Sequence, residues 1–105
     1  MEHAEQQLDL DQYRQTGRLL LDGCLGKESV HVVIPEYALG RMKLRDIDAL
    51  EVLEALALPR SSHAAGKTPG RFEAAGKTSR GRLRVVYERP HPGVVLVITT
   101  YTESE

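Results

Sequence analysis

The chain has 105 residues, 41% of them hydrophobic, and a formal net charge of -1 at pH 7. That length suits a single domain with one core and argues against two domains. The lone cysteine, Cys24, cannot form an internal disulfide, which favours a reducing compartment, although an exported domain would also tolerate one free thiol. The first residues lack a signal-peptide pattern and the longest apolar run, Val94 to Ile98, is too short to span a bilayer, so no membrane association is expected.

The first half of the chain predicts two helices separated by an extended segment. Apolar residues recur at helical spacing from about Leu8 to Leu21, which predicts an amphipathic helix. The β-branched run Ser29 to Ile34 predicts a short strand or an extended lead into a helix, because a proline follows it. Glu36 to Lys43 contains good helix formers around one glycine and is interpreted as the second helix. We therefore expect a helical extension at residues 1–28 ahead of an α+β core at residues 30–102.

The middle of the chain predicts a third helix and then a change of period. Asp46 to Leu58 places its apolar residues on one helical face and begins with acidic residues. A polar, glycine-containing loop is expected from Ser61 to Gly70, followed by a weak strand near Arg71 to Ala75. In Leu83 to Tyr87 apolar residues alternate with arginines, which is typical of a strand with one face on a core.

The last run, Val94 to Tyr101, is almost continuously apolar up to Thr99, as expected for a central strand covered on both faces. Residues Arg89 to Gly93 would form the hairpin loop that leads into it. Helices followed by an antiparallel meander predict an α+β domain whose helices pack on one face of a small sheet.

Basic residues concentrate in the segment from Arg60 to Pro92. It holds eight Lys or Arg against two Glu, a net charge of +6, so the other residues carry -7 in total. A basic surface on a sheet is typical of proteins that bind a phosphate-rich partner, and RNA is the leading candidate. One Phe and no Trp argue against a base-stacking platform, so binding would depend on charge and shape. The residues of this segment expected to contact RNA are Lys67, Arg71, Lys77, Arg82 and Arg84, and Thr99 on the last strand is expected to join them.

A short repeat, Ala-Ala-Gly-Lys-Thr, occurs at residues 64–68 and again at residues 74–78. A phosphate-binding P-loop requires a glycine five residues before its Gly-Lys pair, where this chain has Ser61 and Arg71. Neither copy qualifies, and we expect two glycine-containing turns that flank a weak strand. No Cys and His cluster has the spacing of metal ligands and no glycine-rich fingerprint follows a strand, so neither a metal nor a nucleotide cofactor is predicted.

The segment Ile34 to Ile47, the helix end near Pro59 and the runs 81–87 and 95–101 resemble the domain of unknown function 4258 family. The resemblance covers about residues 30 to 102. It implies a fold similar to the RelE and BrnT toxins, whose wider nuclease fold includes barnase, EndoU and colicin D. It also implies a metal-independent ribonuclease toxin or toxin-derived domain. Its RNA would be tRNA or mRNA in the cytoplasm of its own or a target cell, and its protein partner an antitoxin or immunity protein.

The family's characteristic run is Thr-x-His-Ala-x-x-Arg-Met-x-x-Arg-Gly-Ile. The positions of this chain that match it are Ala38, Arg41, Met42, Arg45 and Ile47. Tyr37 stands where the family has histidine, Pro35 where it has threonine and Asp46 where it has glycine. If the family's histidine transfers a proton, this chain has replaced it with a phenol, whose ordinary pKa is much higher.

Tyr37, Arg41 and Arg45 are spaced i, i+4 and i+8, so a helix would align them in one stripe. Metal-free RNA cleavage needs a base near the 2′-hydroxyl, an acid near the leaving oxygen and positive donors around the phosphorane. These three residues are therefore candidate catalytic residues, and the resemblance adds Tyr101 at the end of the last strand. Ion pairs of the two arginines with nearby acidic residues are the alternative interpretation. The other candidates for proton transfer are His31, His63, His91 and Tyr87.

A non-catalytic protein-binding module of the same fold is the alternative function. The replacement of the family's histidine by Tyr37 favours it, and an acidic N-terminal helix would be one way for it to dock. An antitoxin or immunity protein is a third possibility, which fits the acidic half of the chain but explains the basic segment poorly.

Overall fold

The computed structural model describes residues 18–64, 66 and 68–102. Within those residues the chain forms a mixed α+β fold with two helices and one sheet of six strands. The elements in chain order are β1 (Leu19–Leu25), β2 (Glu28–Ile34), α1 (Glu36–Leu44), α2 (Ala49–Ala57), β3 (Pro59–Ala64), β4 (Arg71–Thr78), β5 (Gly81–Glu88) and β6 (Val94–Thr102). Neither helix in this part of the chain is long and apolar enough to cross a membrane.

The strands lie in the order β1-β2-β6-β5-β4-β3. Strands β3 to β6 form the predicted antiparallel meander, but β6 pairs in parallel with β2 on its other side. The expectation that helices come first and the sheet last is wrong, because the β1–β2 hairpin precedes both helices. The central position predicted for the last strand is confirmed by the strand order.

The strand β1 replaces the end of a predicted helix. Residues 19–21 of the helix expected from Leu8 to Leu21 are in β1, and the rest of that helix lies outside the described residues. Gly26, with a φ of 61°, begins the two-residue turn that joins β1 to β2. The leucines of β1 that pack against the core come from alternate positions, Leu19, Leu21 and Leu25, which is the period of a strand. The expected helical extension at residues 1–28 therefore does not include β1.

The loop predicted from Ser61 to Gly70 is wrong in its first part, because β3 continues to Ala64. Among the described strands β3 is the last of the sheet and pairs only with β4, and this edge position tolerates the polar sequence that was interpreted as a loop. Pro59 is the first residue of the strand, a place where a missing backbone N–H is tolerated. The predicted strand at Arg71 to Ala75 is confirmed and extends to Thr78.

The two copies of the short repeat adopt different structures. Gly66 has a φ of 59° and lies in the turn between β3 and β4, as predicted. Gly76 lies inside β4, so the second predicted turn is wrong. A Cβ at residue 76 would lie 2.5 Å from the carbonyl oxygen of Ala55, so only glycine lets α2 approach the strand this closely.

Both predicted helices in the described part of the chain are confirmed, with shifted ends. The first extends one residue further, to Leu44. The second begins only after Asp48, because the Asp48 side chain accepts a hydrogen bond from the Glu51 N–H at 3.1 Å. The Glu51 side chain accepts one in return from the Asp48 N–H at 3.2 Å, which completes a capping box.

The main core forms between the helices and one face of the sheet. Helix α2 contacts β1, β4 and β5, and α1 contacts β6. The helical residues buried in this core include Ala38, Met42, Val52, Ala55 and Leu56, and the strand residues include Val32, Ile34, Ala74, Leu83, Val85, Val95 and Val97. Because side chains alternate along a strand, the residues between these positions lie on the opposite face, which we call the outer face.

Candidate active site

Four polar side chains lie together on the outer face, one on each of four neighbouring strands. His63 is on β3, Glu73 on β4, Arg84 on β5 and Tyr101 on β6. Their placement follows from the strand register, in which His63 is opposite Glu73 and Arg84 is opposite Tyr101. We call these four residues the outer-face cluster.

Glu73 is the centre of the outer-face cluster. The hydroxyl of Tyr101 donates a hydrogen bond to Oε2 of Glu73 at 2.9 Å. Nη1 of Arg84 donates a short hydrogen bond to Oε1, and Nε2 of His63 lies 3.9 Å from the same oxygen. The Glu73 side chain is only 13% exposed, whereas that of His63 is 56% exposed. The carboxylate is thus fixed by two neighbours, and the imidazole faces solvent beside it.

These contacts set the protonation state of Glu73. Burial raises the pKa of its carboxyl group, because a charge is harder to hold away from water. The hydrogen bonds from Tyr101 and Arg84, together with the charges of Arg84 and His63, outweigh burial and bring the pKa below its ordinary value. Glu73 is therefore an ionised hydrogen-bond acceptor near neutral pH.

The pKa of Tyr101 moves in the opposite direction. Burial raises it first, and the hydrogen bond and negative charge of Glu73 raise it further, against a smaller lowering by Arg84. The phenol therefore keeps its proton near neutral pH and acts as a donor, which positions the Glu73 carboxylate.

Three of the residues predicted to contact RNA share the outer face with this cluster. Arg71 pairs with Glu88 across β4 and β5, with Nη2 of the arginine 3.1 Å from Oε2. Lys77 and Arg82 are directly opposite each other near the hairpin turn, and both are exposed. Lys67 lies outside the described residues.

The three residues predicted as a stripe on α1 make separate contacts. The Arg41 guanidinium lies 5.6 Å from the centre of the Tyr37 ring, and the Tyr37 side chain is on the surface. Helix α1 ends at Leu44, so Arg45 follows its last turn. Nη1 of Arg45 donates to the carbonyl oxygen of Thr100 at 2.5 Å and lies 3.4 Å from Oγ1 of Thr99, a predicted RNA contact. Of the four predicted catalytic residues, Tyr101 is the one that lies in the outer-face cluster.

The remaining proton-transfer candidates lie elsewhere. Nδ1 of His31 is 2.9 Å from Asp22 on the β1–β2 hairpin. Tyr87 is buried on the helix-facing side, with its hydroxyl 3.3 Å from Ser62. His91 lies in the loop before β6.

Arg41 and Arg45 were alternatively expected to pair with nearby acidic residues, but Asp46 pairs with another arginine. Arg80, from the turn between β4 and β5, lies 2.7 Å from Asp46 and 3.3 Å from Glu51. The acidic residues between and within the helices thus bind the hairpin turn, which ties α1 and α2 to the sheet.

Sequence reasoning missed Glu73, the residue that joins the cluster. A usable signal was present, since Glu73 and Glu88 are the only acidic residues in the basic segment from Arg60 to Pro92. An acidic residue inside a basic segment is a candidate for an ion pair or for a catalytic carboxylate. The partners of Glu73 follow from the cross-strand register, which the sequence alone does not give.

No family model matches the chain, and comparisons with curated proteins and with solved structures found no similar protein. Across residues 18–64, 66 and 68–102, no three His, Cys, Asp or Glu side chains are grouped so that they could hold a metal ion.

Proposed function

We propose that the domain is an endoribonuclease, a toxin or toxin-derived domain, and that the outer-face cluster is its active site. The observation that carries the proposal is the placement of an ionised carboxylate, an exposed imidazole, a guanidinium and a phenol around one point on a basic sheet. Bare side chains of these types are sufficient to cleave RNA by attack of its own 2′-hydroxyl.

The proposed reaction is an internal transfer of the phosphate. Glu73 accepts the proton of the 2′-hydroxyl, and the 2′-oxygen forms a new bond to phosphorus. The bond from phosphorus to the 5′-oxygen breaks, and the protonated imidazole of His63 gives its proton to that oxygen. The products are a 2′,3′-cyclic phosphate and a 5′-hydroxyl, so no water or redox partner enters this step.

Arg84 and Tyr101 have supporting roles in this reaction. The Arg84 guanidinium stays charged and offers forked donors, which suits the negative charge that builds on the phosphorane. Tyr101 touches Glu73 through its hydroxyl and holds the carboxylate in place. His63 projects from the last strand of the sheet, and its exposure leaves the imidazole free to meet the leaving oxygen.

We also propose that the fold is RelE-like. The resemblance to the domain of unknown function 4258 family supports a RelE-like fold, and the helices contacting one face of a sheet agree with it. An antitoxin or immunity protein would then be the partner that keeps the ribonuclease inactive, and tRNA or mRNA would be its substrate.

The test uses the purified chain and a 5′-labelled single-stranded RNA in the presence of EDTA. We expect fragments that end in a 2′,3′-cyclic phosphate. Cleavage should be lost in Glu73→Gln and reduced at least a hundredfold in His63→Ala, since general acid or base catalysis contributes on that scale, about 10²-fold or more. An RNA with a single 2′-deoxy sugar at the cleavage site should stay intact.

Arg41→Ala is the matched control, because it removes a basic residue from α1 and leaves the outer-face cluster unchanged. It should cut RNA at the rate of the unmodified protein, and circular dichroism should show that every variant is folded. If Arg41→Ala abolishes cleavage while Glu73→Gln does not, the chemistry belongs to the stripe on α1. If the unmodified protein leaves RNA intact, the ribonuclease proposal is wrong.

A protein-binding module is the second candidate, and one observation favours it. Several large apolar side chains are exposed on or beside the helices, namely Tyr37, Leu44, Leu50 and Leu58. Under this alternative the unmodified protein leaves RNA intact, and a Tyr37→Ser and Leu44→Ser double variant loses the partner that copurifies with it. Glu73→Gln would keep that partner.

A further inference from the structure

The hairpin of β4 and β5 places two like charges opposite each other. Lys77 and Arg82 are register partners, and both project from the outer face. Like charges directly opposite on neighbouring strands destabilise a sheet, so this arrangement costs stability unless something negative lies between them.

No acidic side chain compensates this pair in the part of the chain that the structure describes. The arginines nearest to them along the strands do have such partners, since Arg71 pairs with Glu88 and Arg84 with Glu73. Lys77 and Arg82 make no ion pair with any described residue, and both are exposed. The two charges are thus available to an anion from solution.

The position of the pair relates it to the outer-face cluster. Along the strands, Lys77 is four residues from Glu73 and Arg82 is two residues from Arg84. With a rise of roughly 3.4 Å per residue, the pair lies about 7 Å from the row of Arg84 and about 14 Å from that of Glu73. The shorter distance is comparable to the separation of neighbouring phosphates in an extended single strand.

We propose that Lys77 and Arg82 bind the RNA phosphate next to the one that is cleaved. This inference rests on the proposed function, in which Arg84 holds the scissile phosphate. A strand of RNA then lies along β4 and β5, with one phosphate at Arg84 and its neighbour between the paired charges. The contact is to the backbone, so it lengthens the recognised RNA without selecting a base.

The test compares the Lys77→Gln and Arg82→Gln double variant with the unmodified protein on two substrates. On a ten-nucleotide RNA the KM should rise at least about tenfold, because the loss of even one charged hydrogen bond has that effect, with kcat unchanged. On a dinucleoside monophosphate, which has only the scissile phosphate, the KM should not change. A Lys27→Gln and Lys43→Gln double variant removes the same charge elsewhere and should match the unmodified protein on both substrates.

Binding of a 2′-deoxy analogue of the ten-nucleotide RNA gives a readout that does not need cleavage. For the unmodified protein the logarithm of the affinity should fall with the logarithm of salt concentration, and the slope should be shallower by about 0.7 in the double variant, because one phosphate of the single strand is no longer neutralised. Cleavage without any change in KM or salt slope overturns the phosphate site alone. Absence of cleavage with the predicted change in salt slope overturns the ribonuclease and keeps the site.

Discussion

The hydroxyl of Tyr101 lies 2.9 Å from Oε2 of Glu73, which joins the middle strand β6 to β4 across the whole width of β5. The contact spans one intervening strand, so it can form only when both strand pairings have the correct register. Burial raises the pKa of both groups, and the hydrogen bond then lowers the pKa of Glu73 and raises that of Tyr101 further, so the contact moves the two values apart.

Replacing Tyr101 with phenylalanine removes this hydrogen bond and leaves the ring. We expect the pKa of Glu73 to rise toward its ordinary value, because a donor to the charged form is lost. The free energy of unfolding should fall by about 1 kcal/mol or less, as expected for one partly exposed hydrogen bond. Carbon-detected NMR titration of the Glu73 carboxyl group measures the first effect and urea unfolding the second. An unchanged titration would show that the phenol does not act on the carboxylate.

Glu73 should make the stability of the fold depend on pH in the acid range. Its folded pKa lies below its ordinary value of 4.5, so the unfolded chain binds the proton more readily. The resulting stabilisation is fully present above pH 4.5 and is lost as the pH falls through the folded pKa. The difference in unfolding free energy between the unmodified protein and Glu73→Gln should therefore shrink on acidification. Thermal unfolding from pH 7 to pH 3 checks this, and parallel curves would contradict it.

Alanine substitutions at Gly76 and Gly40 should have opposite effects on stability, because Gly76 lies against α2 whereas Gly40 has open space beside it. Gly76→Ala should lower the free energy of unfolding by about 1–3 kcal/mol, because the new Cβ would meet the backbone of Ala55, which cannot rotate away. Gly40→Ala should raise it by about 0.5–1 kcal/mol, since the added methyl meets nothing within 4 Å in the helix α1. Chemical denaturation of the two variants measures both changes. Equal effects would mean that the helix can shift away from the strand.

The capping box of α2 predicts that Asp48→Ala lowers the stability of the fold and that Asp48→Ser largely preserves it. Asp48→Ala should cost about 1 kcal/mol of stability, because the Glu51 N–H loses its side-chain acceptor. Asp48→Ser supplies another acceptor and should retain most of that stability. Comparison of the midpoints of urea unfolding tests the pair, and equal losses would show that the charge of Asp48 matters more than the cap.

The elements that sequence predicted correctly are those whose pattern is local. The helix from Ala49 to Ala57 has a clear apolar face, and the strand from Gly81 to Glu88 places Leu83, Val85 and Tyr87 in the core at alternate positions. Leu19 to Leu21 fitted a helix because three consecutive leucines satisfy either period. The strand from Pro59 to Ala64 was missed because an edge strand has no buried pattern to show.

The sequence indicated some residues of the candidate site and missed others for the same reason. Alternation along β5 was enough to place Arg84 on the side away from the core, whereas Tyr101 at the end of β6 was indicated by the family resemblance. The role of Glu73 depends on partners that are 11 and 28 residues away in sequence. Such distant contacts follow from the order and register of the strands, which a single sequence does not reveal.

The parallel pairing of β2 with β6 governs when the molecule can assemble. Strand β6 follows all the other described elements along the chain, yet it lies between β2 and β5 and joins the β1–β2 hairpin to the remaining strands. While the ribosome is still translating residues before β6, the nascent chain has His63, Glu73 and Arg84 but neither Tyr101 nor the strand that unites the sheet. Under the proposed function, the active site is complete only after Tyr101 has been translated, which separates the synthesis of the ribonuclease from its action on RNA.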